Sequence, residues 1–135
     1  MLRTFAVLAA AASLLGSATA VAGAQEPTPP AGEGCNYKLS APSVVNVSGT
    51  DMVTATLDVG ACDGATTFET AACIQMQGAD GPGQCAQGRG IRPAQIFFQP
   101  YRPGATYTAT GRGCASTGNP PQKICQENGP LTATL

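Results

Sequence analysis

Histidine and tryptophan are absent from this chain of 135 residues, and charged residues supply only 11% of it. Without histidine there is no Ser-His or Cys-His nucleophile pair, and the usual zinc ligand sets are excluded as well. No two cysteines stand in C-x-x-C spacing, which removes the common redox and zinc-binding motifs. A calcium loop of the D-x-[DN]-x-[DN]-G type, a phosphate-binding glycine loop and a G-x-S-x-G elbow are missing too. Asp51, Asp58, Asp63 and Glu69 are the candidates for a glycosidase carboxylate pair. Yet Asp63-Gly64, like Asp80-Gly81, is a turn dipeptide, and Asp58 falls on the solvent side of a strand pattern. The expectation is a protein that is not an enzyme and uses no metal and no cofactor.

Long apolar runs are equally scarce, and the one present stands at the start. Arg3 precedes an apolar stretch of 11 residues, Phe5 to Leu15, and small residues follow to Ala22-Gly23-Ala24. A basic start, a short apolar run and an A-x-A site describe a cleaved secretory leader. Ala18-Thr19-Ala20 is a second such site, so cleavage after Ala20 or Ala24 stays open. Spanning a bilayer takes about 20 apolar residues, more than this run offers. Residues 1–24 are therefore read as a signal peptide and the mature protein as secreted, with no membrane span. Residues 25–34 hold Pro27, Pro29, Pro30, Gly32 and Gly34 and read as a flexible, extended tail. Residues 35–135 suffice for one domain and not for two.

Loss of Arg3 with the leader would take the formal net charge from −1 to −2. That balance argues against nonspecific binding to nucleic acid or to anionic membranes. The charges are uneven along the chain. Lys38 is the single base between residues 25 and 88, whereas Arg89, Arg92, Arg102, Arg112 and Lys123 follow. Because strands from both halves interleave in a sandwich, this asymmetry need not become a surface dipole.

What the chain does have is cysteine. Cys35, Cys62, Cys73, Cys85, Cys114 and Cys125 all lie beyond the leader, and an even number in a short exported chain implies three disulfides. Six cysteines allow fifteen pairings. Hairpin geometry favours Cys35–Cys62, Cys73–Cys85 and Cys114–Cys125, because each pair flanks a turn and closes if its two strands pair.

Beyond Cys35 the hydrophobic period is two. Val53, Ala55, Leu57 and Val59 alternate with Met52, Thr54, Thr56 and Asp58, the pattern of a strand buried on one face. A broken strand precedes it, with Tyr37 and Leu39 before Pro42 and Val45 and Val47 after. Ser48-Gly49-Thr50-Asp51 reads as the turn between them. Further strands are expected around Ile74 and Met76, Ala94 to Phe98, Ala105 to Thr110 and Leu131 to Leu135, with a forced turn at Gly78–Gly83. Gly111 and Gly113 flanking Arg112 mark a close approach inside a strand, by a neighbouring loop or by a ligand. Asn46-Val-Ser48 matches a glycosylation sequon but falls within a strand pattern. Regularly spaced short strands with Gly/Pro punctuation predict an all-β, antiparallel sandwich of about seven strands.

The segment Tyr101-Arg-Pro-Gly-Ala-Thr-Tyr107 resembles the E–F corner of fibronectin type III and related immunoglobulin-like domains. As a whole the chain is similar to small exported immunoglobulin-like proteins of actinobacteria. The resemblance implies that Tyr107 bonds its hydroxyl back to the corner backbone, with Tyr101 in place of the usual leucine. It also has limits, since Ala109 stands where antibody domains carry a cysteine and their buried tryptophan is missing.

Phe97, Tyr101 and Arg102 are the candidate binding contacts, because aromatic and arginine side chains concentrate binding energy. The competing expectation puts Phe97 and Tyr101 in the core. The first functional reading is a secreted, non-catalytic binding module that presents loops on a rigid scaffold to an extracellular protein or small ligand. A carrier of a small apolar ligand, and an inhibitor offering the clamped Gly78–Gly83 loop, are the alternatives.

Overall fold

The computed structural model describes residues 34–135. The expected leader, and the expected tail except its last residue, lie outside the described residues. Gly34 is already part of the first strand, facing Asp63.

Eight strands, β1 (Gly34–Leu39), β2 (Ser43–Val47), β3 (Thr50–Asp63), β4 (Ala65–Met76), β5 (Gln84–Arg89), β6 (Ala94–Phe98), β7 (Thr106–Thr117) and β8 (Gln122–Thr134), form two antiparallel sheets. No helix occurs among the described residues, so none there is long and apolar enough to cross a membrane. The expected count of about seven short strands is corrected to eight, four of which run 12 to 14 residues.

In the first sheet β3 is central. Leu57 faces both Leu39 of β1 and Ala94 of β6, and Val53 faces both Val44 of β2 and Phe98 of β6. β1 and β2 therefore share one edge of β3, and β6 takes the other. Pro42 lies in the gap between β1 and β2, where its missing N–H interrupts the edge. The second sheet has the order β5-β4-β7-β8. Ser48 and Gly49 both adopt positive φ, as a two-residue hairpin between twisted strands requires. Asn46 accepts from the Gly49 N–H at 3.1 Å and donates to Asp51 at 2.9 Å, so the sequon asparagine is a turn-former here.

The core lies between the sheets. Val53, Ala55 and Leu57 from β3 meet Ala72 and Ile74 from β4, Ala94, Ile96 and Phe98 from β6, and Tyr107 and Ala109 from β7. Phe98 and Tyr107 meet edge to face with centroids 5.7 Å apart. Buried threonines are satisfied: Thr70 donates to the Arg92 carbonyl at 2.9 Å and Thr117 to that of Gly64 at 2.9 Å. An unsatisfied buried hydroxyl would cost about 1–3 kcal/mol.

The paired glycines of β7 have a cause that neither a loop nor a ligand supplies. A Cβ at Gly113 would overlap the ring of Tyr37, and one at Gly111 would come within 2.8 Å of Leu57 Cδ1. Side chains of the opposite sheet thus fill the space above these glycines. Tyr37 spans the interior to reach Thr67 Oγ1, 3.0 Å from its hydroxyl.

All three disulfides join residues that face each other on neighbouring strands: Cys35–Cys62 on β1 and β3, Cys73–Cys85 on β4 and β5, Cys114–Cys125 on β7 and β8. β5 is implied by the expected Cys73–Cys85 pairing and by no apolar alternation of its own. Its inward positions are Ala86 and Gly88, and a Cβ at Gly88 would collide with the returning backbone at Arg92. Its apolar signal is therefore close to nil, and the Cys73–Cys85 bridge ties it to β4.

Candidate functional site

Antiparallel pairing gathers three connections at one end of the sandwich. These are the Ser48-Gly49 turn, the Gln77–Gly83 loop between β4 and β5, and the Gln99–Ala105 corner between β6 and β7. Gln77 N–H donates to the Thr106 carbonyl at 2.8 Å, which seats the loop beside the corner. Gln75 Nε2 donates to the Gly81 carbonyl at 3.0 Å, and Gln84 Nε2 to the Gln99 carbonyl at 2.9 Å. Gly83 has positive φ and leaves no room for a Cβ against the Ile74 carbonyl. Clamped below by Cys73–Cys85, the loop is held at its base and its middle.

Two recesses flank it. One, of about 190 Å³, lies between the loop and the core, with Met76, Pro82, Gln84 and Phe98 in its walls. The other, of about 370 Å³, is open and lined by Gln75, Met76, Gln77, Gly78, Thr108 and Thr132. Ligand pockets usually enclose about 300–1,000 Å³ with mainly apolar walls. The first recess is smaller than that and has Asp80, Gln75 and Gln84 among its apolar neighbours, and the larger one is walled chiefly by amides and hydroxyls.

The corner itself is built on Tyr107. Its ring is wholly buried, and its hydroxyl accepts from the Arg102 N–H at 2.8 Å. The oxygen also lies 3.5 Å from the Arg102 carbonyl, a long contact for its own proton. Tyr107→Phe leaves the Arg102 N–H without that acceptor, so unfolding free energy should fall by about 1–3 kcal/mol. A change below about 0.3 kcal/mol in denaturant titrations would show that the bond carries no stability.

The three candidate contacts separate. Arg102 is exposed at the corner, fixed through its own backbone. Tyr101 is half-buried and packs against the core, so much of its ring is committed to stability. Phe97 faces Thr54 on the outer side of the first sheet and is 41% exposed, while Phe98 turns inward. Phe97 and Tyr101 thus serve opposite sides of the first sheet, and sequence proximity did not make them one patch. Met52 and Val45 face each other one step along that outer side.

The late-chain bases do not gather into a patch of one sign. Arg89 faces Glu69 across β5 and β4, and Arg112 Nε is 3.3 Å from Glu127. Lys123 lies over the Phe68 ring, 5.8 Å from its centroid. No group of three or more His, Cys, Asp or Glu side chains suited to a metal ion occurs among the described residues.

Protein-family models, curated proteins and solved structures yield no match to this chain. The function of the site therefore rests on its own geometry. The clamped loop was legible in its Gly/Pro content and flanking cysteines. The amide contact that ties its end to the corner carried no signal, because Gln84 and Gln99 lie in different connections and are chemically ordinary.

Proposed function

We propose that this protein is an exported, immunoglobulin-like scaffold of the fibronectin type III kind, related to small secreted actinobacterial proteins and acting as a non-catalytic binding module. The strand orders β1/β2-β3-β6 and β5-β4-β7-β8, and the Tyr107–Arg102 bond at the corner, support the fold reading. Three disulfides are consistent with an extracellular protein. The observation that carries the functional reading is the rigid end formed by the Gly78–Gly83 loop and the corner, whose flanking residues are hydrogen-bonded, Gln77 N–H to the Thr106 carbonyl and Gln84 Nε2 to the Gln99 carbonyl, with Arg102 exposed beside them. A pre-shaped loop surface loses little entropy on binding, so it suits protein recognition. Neither recess has the size and apolar walls that a carrier of a small apolar ligand needs.

The test is capture from culture medium and cell envelope with the oxidised mature protein as bait, followed by affinity measurement on the captured partner. Arg102→Ala is expected to weaken binding by at least about 1 kcal/mol with the melting temperature unchanged. Asp80→Lys, at the exposed tip of the clamped loop, should weaken it as well. A partner that tolerates both changes in a folded domain binds elsewhere, and Phe97→Ala would then examine the outer side of the first sheet.

A further inference from the structure

Sheet edges are the other open feature of the molecule, and they differ. β5 and β6 are six and five residues long, and the β1–β2 edge is broken around Pro42. Among the described residues β8, Gln122–Thr134, pairs with β7 alone, and its register with β7 is continuous from Gln122 to Asn128. Such an edge offers a row of unpaired N–H and C=O groups.

The disulfide reveals which groups face outward. The Cα atoms of Cys114 and Cys125 are 4.1 Å apart. Facing residues in antiparallel strands lie about 4.5 Å apart when not hydrogen-bonded to each other and about 5.5 Å when they are. Cys125 is therefore in a non-bonded pair with β7. Its N–H and C=O point away from the sheet, as do those of Lys123 and Glu127, while Ile124 and Gln126 bond to β7. No backbone hydrogen bond from another element reaches Lys123, Cys125 or Glu127 among the described residues.

The geometry points to a second copy of this chain as the occupant of this edge, paired antiparallel through β8 about a two-fold axis at Cys125. In that register Cys125 faces Cys125, and Lys123 of each copy faces Glu127 of the other. These are the residues whose backbone groups point outward, so every facing pair among them is a hydrogen-bonded pair. Registers centred on Ile124 or Gln126 also align outward groups but set both charges opposite uncharged residues. Charge complementarity selects Cys125. Lys123 and Glu127 are exposed on the same face of the sheet; within one copy Lys123 lies over the Phe68 ring and Arg112 holds one carboxylate oxygen of Glu127, so Lys123 leaves that exposed ring contact to meet the partner's carboxylate. The pairing segment ends at Pro121 on one side and Gly129-Pro130 on the other, where the missing N–H groups stop the ladder.

Residues 25–33 are the competing occupant, since the chain enters β1 at Gly34 beside Gln126. Pro27, Pro29 and Pro30 leave that segment too few donors to fill the edge. Self-pairing is isologous, and it leaves the Gln99–Ala105 corner of both copies open.

Sedimentation equilibrium of the oxidised mature protein tests the proposal between about 10 µM and 1 mM, the range suited to a small interface. A monomer–dimer equilibrium is expected. Lys123→Glu and Glu127→Lys should each weaken it by roughly tenfold or more, because like charges then face each other twice. The double variant restores opposite charges and should recover most of the affinity, with all three variants melting near the wild type. Residue-resolved hydrogen exchange supplies the backbone readout. The amides of Lys123, Cys125 and Glu127 should slow as concentration rises, while those of Ile124 and Gln126 stay unchanged. A protein that is monomeric throughout overturns the proposal. So does a dimer indifferent to both charge reversals, or protection that does not alternate.

Discussion

Gly113→Ala is expected to lower the unfolding free energy by about 3 kcal/mol, the upper end for forcing an extra carbon into a packed interior. The reason is local and steric. The added Cβ would occupy the volume of the Tyr37 ring, which crosses from the first sheet and bonds its hydroxyl to Thr67 at 3.0 Å. Tyr37 cannot withdraw without giving up that bond and its packing, and β7 is the strand that pairs with both β4 and β8. Equilibrium unfolding in denaturant measures the effect. The mechanism is checked by a double-mutant cycle with Tyr37→Leu, which removes much of the obstructing ring. The two changes together should cost less than their sum by at least about 1 kcal/mol. Additive losses would mean that the glycine is required for another reason. Gly111→Ala, against the more pliable Leu57 methyl, should cost less than Gly113→Ala.

Removing the Cys35–Cys62 bridge, as Cys35→Ala with Cys62→Ala, should cost about 3–4 kcal/mol on the loop-entropy account. Its sequence separation is 27, against 12 and 11 for the other two bridges, so it restrains the unfolded chain most. It also fastens the start of β1, an edge strand, to the far end of β3. The core has little to offset such a loss, because Ala55, Ala72, Ala94 and Ala109 occupy positions where larger side chains would bury more area. Non-reducing peptide mapping verifies the remaining bridges, and guanidinium titration measures stability. A loss smaller than that from the corresponding Cys73–Cys85 variant would contradict the ordering by loop length.

Several features were legible because they are local. Val53, Ala55 and Leu57 declare a buried face through a period of two, and the twist of a hairpin demands the positive φ that Ser48 and Gly49 adopt. Neighbouring cysteines around a turn have few other ways to close, which accounts for Cys73–Cys85 and Cys114–Cys125, whereas Cys35–Cys62 follows from β1 and β2 reading as one broken strand against β3. Tyr107 belongs with them, since its hydroxyl bonds only five residues back, to Arg102.

By itself, then, the sequence pointed to an all-β fold beyond Cys35, to the inward faces of its strongly patterned strands and to one favoured set of crosslinks among fifteen, because strand period, turn chemistry and loop closure act over short stretches of chain. Tertiary structure alone decided the rest. β5 exists because β4 offers an edge and a disulfide, although its own residues carry almost no apolar pattern. Gly113 is needed because Tyr37 arrives from the opposite sheet, and Tyr101 is drawn onto the core while Phe97 is left outside. Each of these depends on which side chain of one sheet meets which gap in the other. That is a matter of volume between layers, and no run of neighbouring residues encodes it.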